Sequence, residues 1–234
     1  DVKAVVVTHL YGLMADMKAI LDIAQNFGCY VIEDCAQSIG AVQNGLIAGA
    51  FGDASTFSFY PTKNLSCLGD GGAVSFKLKE HADNSRQLAQ YGWSSRYAID
   101  KDNGFNSRLD EIQAAVLLER VSGLSASNEK RRQIVNRYKS FVVGSRYFVS
   151  AEDVSFVGHL AVMVTESRDL DASVLHQAGI ATGVHYPILD HHQVGWNRHF
   201  KNEILPNSES LVGRILTLPC FPMLSDVEIE RVCE

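Results

Sequence analysis

The 234-residue chain is 46% hydrophobic and 21% charged, with a formal net charge of −6. That balance fits a globular chain able to bury the core of one or two domains. It offers no clustered basic surface for nucleic acid, and no apolar run approaches the ~18 residues of a membrane span.

In chain order, strands and helices alternate. Asp1-Val-Lys-Ala-Val-Val-Val7 already enters a strand. Asp16 caps a helix through Phe27, with Met17, Ile20, Leu21, Ala24 and Phe27 on one face and Gly28 ending it. Residues 29–33 form an apolar run with β-branched members, which reads as a buried parallel strand. Further strands are expected at 55–60 and 73–76, the first of them ended by Pro61. Gly69-Asp-Gly-Gly72 is a tight connection that lacks the length and lysine of a nucleotide P-loop. A helix over 78–91 ends at Gly92. Ser107-Arg-Leu-Asp110 has the form of a capping box, opening a helix with Leu109, Ile112, Val116 and Leu117 along one side. Beyond about residue 125 the pattern predicts a helix over 127–142 and then a short hairpin. A half-covered strand over 159–164 follows, then a helix from Asp169 or Asp171 to Gln177 stopped by Gly179, and a strand over 180–186. The basic run Glu129-Lys-Arg-Arg-Gln133 reads as a solvated helix face. The expected division is a larger domain over 1–125 and a smaller one over 126–234.

Five cysteines (Cys29, Cys35, Cys67, Cys220 and Cys233) are odd in number and lack metal-ligand spacing. Reduced thiols in a cytoplasmic setting are expected, with Cys35 a small filler residue. His185, His191, His192 and His199 are close in sequence, but none sits in an H-E-x-x-H frame and Pro187 interrupts them. No metal is expected.

The most informative pair is Asp34, in Val31-Ile-Glu-Asp-Cys-Ala-Gln37, and Lys63, in Thr56-Phe-Ser-Phe-Tyr-Pro-Thr-Lys-Asn64. Asp34 falls at the carboxyl end of a parallel strand, where ligands bind in open α/β sheets. Lys63 leaves the next strand on a short turn. An amine that forms imines and a carboxylate that faces a pyridinium nitrogen are the protein groups pyridoxal phosphate most needs. An ion pair at ~4 Å in an effective dielectric of about 20 is worth roughly 4 kcal/mol, enough to keep the ring charged at neutral pH. Ser58, five residues before the lysine, can offer a hydroxyl to the phosphate. The plain alternative makes Asp34 a loop cap and Lys63 a solvated lysine.

The flanking residues decide between them. Val7-Thr-His-Leu-Tyr-Gly12, Ile32-Glu-Asp-Cys-Ala-Gln-Ser-Ile-Gly-Ala41, Phe57-Ser-Phe-Tyr-Pro-Thr-Lys-Asn-Leu65, Gly69-Asp-Gly-Gly-Ala73, Asn106-Ser-Arg-Leu-Asp-Glu-Ile-Gln-Ala-Ala115 and Gly183-Val-His-Tyr-Pro187 occur in order. Together they resemble the DegT/DnrJ/EryC1/StrS family of sugar aminotransferases over essentially the whole chain. The resemblance implies an α/β fold-type-I pyridoxal phosphate-dependent transferase: the later part of the large-domain sheet plus the small carboxyl-terminal α/β domain. It makes Lys63 the lysine bonded to the cofactor and Asp34 the partner of the pyridine nitrogen. Gln37 would contact the phenolic oxygen and Ser58 the phosphate. Asn106 would reach the phosphate of a neighbouring subunit in a homodimer, although simple helix capping is its ordinary alternative. His185 and Tyr186 would face the sugar nucleotide. The amino donor usual in such families is glutamate.

Tyr91-Gly-Trp-Ser-Ser-Arg-Tyr97 and His185-Tyr-Pro-Ile-Leu-Asp-His-His-Gln193 resemble more narrowly the branch that aminates C3 of nucleotide-linked, typically thymidine-linked, 3-keto-6-deoxyhexoses. Packing of Trp93 on the preceding helix is the alternative to a sugar contact. Family members carry an upstream portion with a phosphate loop and a ring that stacks on the cofactor, and none of it is in this chain. The chain is therefore expected to be the later part of such an enzyme. The competing reading is a truncated, catalytically incompetent relative that dimerises or binds ligand as a regulator; retention of Lys63 favours the enzyme.

Overall fold

A computed structural model describes residues 2–200 and 202–234, the side chains of Asn197 and Arg198 excepted. Asp1, at the start of the first expected strand, lies outside the described residues. Two compact units are present: residues 1–128 with 153–159, and residues 129–152 with 160–234.

In the first unit, β1 (Ala4–Thr8) leads into α1 (Met17–Phe27) and returns as β2 (Tyr30–Asp34). Parallel neighbours need such a crossover. The β-branched run Val5-Val-Val7 and the Val31-Ile32 pair suit the pleated surface, and β1 pairs with β2 from Ala4↔Tyr30 to Thr8↔Asp34. As expected, Asp16 caps α1, accepting the Ala19 N–H at 3.1 Å. Gly28 ends it in the left-handed region at φ 64°. Met17 and Ala24 turn inward onto Val7, Val31, Ala41 and Val157, with Ile20 and Leu21 packed at the edge. Phe27, expected on that face, is 78% exposed, because the helix ends there and Gly28 turns the chain away. Burying one side chain such as Met17 is worth roughly 1.5–3 kcal/mol.

A short hairpin, β3 (Val42–Gln43) with β4 (Leu46–Ile47), precedes β5 (Ala54–Ser58). β5 runs parallel to β2, and β6 (Gly72–Phe76) closes the sheet antiparallel to β5. The order is β1-β2-β5-β6.

α2 (Lys79–Leu88) stops short of the expected Gly92. Its last carbonyls are claimed by an incoming segment: Phe105 N–H bonds Leu88 O at 2.9 Å and Ser107 N–H bonds Ala89 O at 3.0 Å. The hairpin β7 (Trp93–Ser95) and β8 (Ala98–Ile99) follows. In it Trp93 packs against the rings of Tyr91 and Tyr97, at 5.2 and 5.7 Å between centroids. α3 (Glu111–Val121) starts at Asp110, whose side chain makes no capping bond, so the Ser107–Asp110 capping box does not form. Of its expected inner face, Leu117 is buried against Leu65 and Cys67, while Ile112 is 73% exposed. α4 (Leu124–Lys139) begins in this unit.

In the second unit, β9 (Tyr147–Phe148), β10 (Ala161–Val164) and β11 (Ile215–Leu218) form an antiparallel sheet with β10 in the centre. The expected short hairpin after α4 is replaced by this distant pairing. β10 is buried along its whole length, not half-covered, because it has strands on both sides and apolar residues on both faces. Ile134, Val135 and Tyr138 of α4 are buried too. The run at 129–133 is not a uniformly solvated face: Arg131 is 8% exposed and donates to Cys220 O at 2.7 Å. α5 (Arg168–Gln177) has Ser167 at its N-cap. Asp171, one of two expected caps, instead takes both Nε and Nη2 of Arg146, at 3.0 and 2.7 Å. Residues 180–186, expected as a strand, make one bridge, Gly183↔Thr217. α6 (Asn197–Phe200), α7 (Pro206–Val212) and α8 (Asp226–Cys233) complete the unit, the last opened by a Ser225–Glu228 capping box. No described helix is long and apolar enough to cross a membrane.

Gly12 shows how closely the first unit is assembled. It sits at φ +89°, where an added Cβ would lie 2.9 Å from His159 N and 3.0 Å from Gln37 O. Gly12→Ala is expected to cost more than about 1 kcal/mol. A thermal melt of the variant checks this; an unchanged midpoint contradicts it.

Candidate active site

The three parallel strands end level with one another. Thr8 is opposite Asp34 and Asp34 is opposite Thr56, so three carboxyl ends open on one edge. Both carboxylate oxygens of half-buried Asp34 have donors: Thr8 Oγ1 to Oδ2 at 3.3 Å and the Ala36 amide to Oδ1 at 3.0 Å. Its backbone carbonyl accepts the His9 N–H at 3.1 Å. These contacts fix the orientation of the carboxylate.

Neighbouring strand residues point to opposite faces, and Glu33 accordingly turns inward. It and His9 are both 0% exposed. The Ala15 amide donates to His9 Nδ1 at 3.2 Å. The ring proton is therefore on Nε2, which donates to Glu33 Oε2 at 3.1 Å. Glu33 also accepts the amides of Gly49, Phe51 and Gly52, each at 2.8 Å. Burial alone would push its pKa up, but the bonds from His9 and these three amides bring it below the ordinary carboxylate value. Burial, with the Glu33 charge adding to it, pushes the Cys35 thiol up to about 12. That thiol stays protonated, as a filler residue would.

His9, Glu33 and Cys35 converge at metal-ligand spacing. The imidazole nitrogens and both carboxylate oxygens are already committed to protein partners, however. A second grouping, His191, His192 and Glu209, lies in the second unit. There Glu209 Oε1 already takes His191 Nε2 at 3.2 Å and the Leu205 amide at 3.0 Å.

Lys63 leaves β5 on a turn closed by its own N–H to Tyr60 O at 2.8 Å. Its side chain lines a cleft of about 1030 Å³ together with Thr56, Ser58, Asp70 and Arg108. Burial lowers the pKa of its amine; the negative charge of Asp34 acts in the opposite direction. The two groups are thus within electrostatic reach, although Asp34 and Gln37 are not among the cleft's lining residues. Gln37 is buried, its Oε1 accepting the Tyr11 N–H at 2.6 Å. Ser58 lines the cleft and its Oγ accepts the Tyr60 N–H at 3.3 Å. Asn106 is exposed, with Oδ1 taking Arg108 Nε at 3.1 Å. It does not cap α3, whose N-cap is Asp110. Its neighbours Phe105, Ser107 and Arg108 line the cleft.

His185 and Tyr186 belong to the second unit. His185 is half-buried, its Nδ1 2.9 Å from Thr217 Oγ1, and burial lowers its pKa. Tyr186 is 48% exposed. The second unit also has an apolar cavity of about 450 Å³ lined by Phe148, Met163 and Leu218, with Arg146 and Asp171 among its walls. It holds no amine for covalent chemistry.

Sequence reasoning gave no role to Thr8, Asp70 or Arg108. Thr8 had one available signal, a polar residue ending an apolar strand directly beside the strand of Asp34. Arg108 and Asp70 reach the cleft by chain reversal, which leaves no local pattern.

A sheet of this topology, with a lysine and an aspartate at its carboxyl edge, is that of the fold-type-I pyridoxal phosphate-dependent transferases. The family model of the DegT/DnrJ/EryC1/StrS aminotransferase family matches residues 1–234. The chain is 40% identical over 232 residues to a UDP-N-acetyl-3-dehydro-alpha-D-glucosamine 3-aminotransferase of Acidithiobacillus ferrooxidans, covering 98% of this chain and 62% of that one. It is 40% identical over 234 residues to the dTDP-3-amino-3,6-dideoxy-alpha-D-galactopyranose transaminase of Aneurinibacillus thermoaerophilus, covering 99% and 64%. Among solved structures it is similar to S. venezuelae DesV in complex with a ketimine intermediate, at TM-score 0.93 and 39% identity over 99% of this chain and 63% of that one. The chain belongs to the DegT/DnrJ/EryC1/StrS aminotransferase family. It spans somewhat over three-fifths of the length of these relatives.

The residues present fit the cofactor of that family. The cleft offers a half-buried amine and a strand-end hydroxyl at Ser58, and the Asp34 carboxylate, outside the cleft's lining but within reach of that amine's charge, is fixed by two donors.

Two titrations test this electrostatic picture. Glu33 has a folded pKa below its ordinary 4.5, so its contribution to stability is present above that value and is lost as pH falls through the folded one. Urea unfolding followed against pH should show an acid decline that Glu33→Gln flattens; identical acid limbs contradict the assignment. For Lys63, acylation followed by peptide mass spectrometry should show a midpoint below the ordinary 10.5. Asp34→Asn should move it lower still, since the aspartate charge favours the ammonium form. A midpoint that rises contradicts the coupling.

Proposed function

We propose that the protein to which this chain belongs transfers an amino group, from glutamate, to the C3 keto group of a nucleotide-linked sugar. The observation that carries this is the Lys63 amine, held half-buried in a cleft with its pKa lowered and coupled to the charge of Asp34. It stands in a chain that belongs to an aminotransferase family along its whole length.

Pyridoxal phosphate supplies an aldehyde that exchanges amines and a ring that accepts electrons. Lys63 is the residue that bonds to it. Lys63 Nζ, when not bonded to the cofactor, would be a base of lowered pKa suited to take the proton from the donor's α-carbon. Asp34, its carboxylate fixed by Thr8 and the Ala36 amide, would be the partner of the pyridine nitrogen and favour its protonated form. Gln37 would contact the phenolic oxygen, and Ser58 would donate to the phosphate. Asn106 reaches the phosphate in the partner of a homodimer. His185, kept neutral by burial, and Tyr186 contact the sugar nucleotide. The first unit, expected as residues 1–125 but extended by 126–128 and 153–159, acts as the large domain and the second unit as the small one. No disulfide links the five described cysteines, which favours a cytoplasmic setting.

Position 3 is favoured because two relatives are named for amino or keto groups there. One is a UDP sugar and the other a dTDP sugar. Within the proposal, a dTDP-3-keto-6-deoxyhexose is the preferred substrate, on the motif at 91–97.

The full natural polypeptide, given glutamate and a panel of thymidine- and uridine-linked keto sugars, should aminate a C3 ketone, with mass spectrometry locating the new nitrogen. Lys63→Ala should lower turnover by about 10²–10⁴-fold. Turnover retained in that variant would remove the lysine from its role.

A further inference from the structure

The residue that follows Lys63 is clamped by its side chain. Asn64 Nδ2 donates to Asn128 Oδ1 at 2.8 Å and to the Val157 carbonyl at 3.0 Å, and Asn64 Oδ1 lies 3.0 Å from His159 Nδ1. Asn128 Nδ2 donates in turn to the Ile39 carbonyl at 3.0 Å. Two main-chain carbonyls, which only accept, fix the sense of both amides. Asn64 therefore presents its oxygen to His159, and the imidazole donates from Nδ1.

Asn128 is 3% exposed and His159 7%. Neither lines the cleft that Lys63 lines. Burying two amides and an imidazole is costly unless each is bonded, and apolar side chains could fill the same space without that cost. A satisfied buried network instead specifies one arrangement. Here it links the lysine turn to the start of α4, to the 157–159 segment and, through Ile39, to the loop after Asp34. Gly40 makes room for it: at φ +83°, a Cβ there would lie 2.9 Å from Asn128 Nδ2.

We propose that Asn128 and His159 are positioning residues that act through Asn64, holding the Lys63 amine at a fixed place relative to the Asp34 loop. This rests on the reading of Lys63 as the cofactor's covalent partner. Neither residue touches the reacting atoms; each restricts where the amine can go.

The test uses the full natural polypeptide stripped of cofactor and mixed with pyridoxal phosphate. Covalent capture, in which the Lys63 nitrogen replaces the aldehyde oxygen and that oxygen leaves as water, is followed by absorbance. Asn128→Leu and His159→Leu should slow capture by about tenfold or more with circular dichroism unchanged. His159→Asn keeps an N–H near the position of Nδ1 and should recover most of the rate; His159→Gln places it near Nε2 and should not. Folded leucine variants that capture as fast as the parent, or an asparagine variant no faster than the leucine one, overturn the positioning role. Should the leucine variants not fold, side-chain amide exchange at Asn64 in the unsubstituted protein decides. Slow exchange is expected, and exchange at the free-amide rate overturns the clamp. A parent protein that captures no cofactor at Lys63 overturns the underlying reading instead, and that outcome is separable from the others.

Discussion

The buried carboxylate of Glu33 is the contact on which the sheet edge depends. It gathers the amides of Gly49, Phe51 and Gly52, which lead into β5, and the imidazole of His9, which follows β1. Through His9 Nδ1 it also fixes Ala15, just before α1. One anion thus holds the chain around three strands. Because neighbouring residues alternate across a strand, the inward turn of Glu33 directs Asp34 the other way. A hydrophobic side chain at 33 would leave three inward-pointing N–H groups without partners, at about 1–3 kcal/mol each.

The chemistry of the site follows from unequal burial. Asp34 stays at a half-open strand end with a donor on each oxygen, which fixes the direction of its carboxylate. Lys63 is half-buried on a turn, and burial outweighs the attraction of Asp34, so its amine gives up its proton more readily than a surface lysine. A fixed carboxylate and an amine of lowered pKa near adjoining strand ends are suited to a ring nitrogen and an aldehyde on one ligand. That combination is what amine exchange on a ketone requires, and the family match over residues 1–234 agrees with it.

Much of this was legible in the sequence, for local reasons. α1 announced itself through Asp16, a 3.6-residue apolar stripe and Gly28. β2 could be read from its β-branched run, and Asp34 and Lys63 from their places at strand ends. What escaped was set by distant partners. Asp171 is drawn from capping by Arg146, 25 residues away in sequence. The clamp on Asn64 uses residues 64, 93 and 95 positions distant. β10 is buried on both faces because β9 and β11 flank it, which no alternation within residues 161–164 could reveal. Residues 180–186 are rich enough in apolar residues for a strand but meet β11 only at Gly183.

The central claim is that the amine of Lys63 and the carboxylate of Asp34 serve one ligand. A crystal structure of the full natural polypeptide grown with pyridoxal phosphate tests it most directly. The account predicts electron density continuous from Lys63 Nζ into the cofactor, with the ring nitrogen at hydrogen-bond distance from Asp34. Cofactor bound elsewhere, or bonded to Lys63 with its ring nitrogen turned away from Asp34, would contradict it.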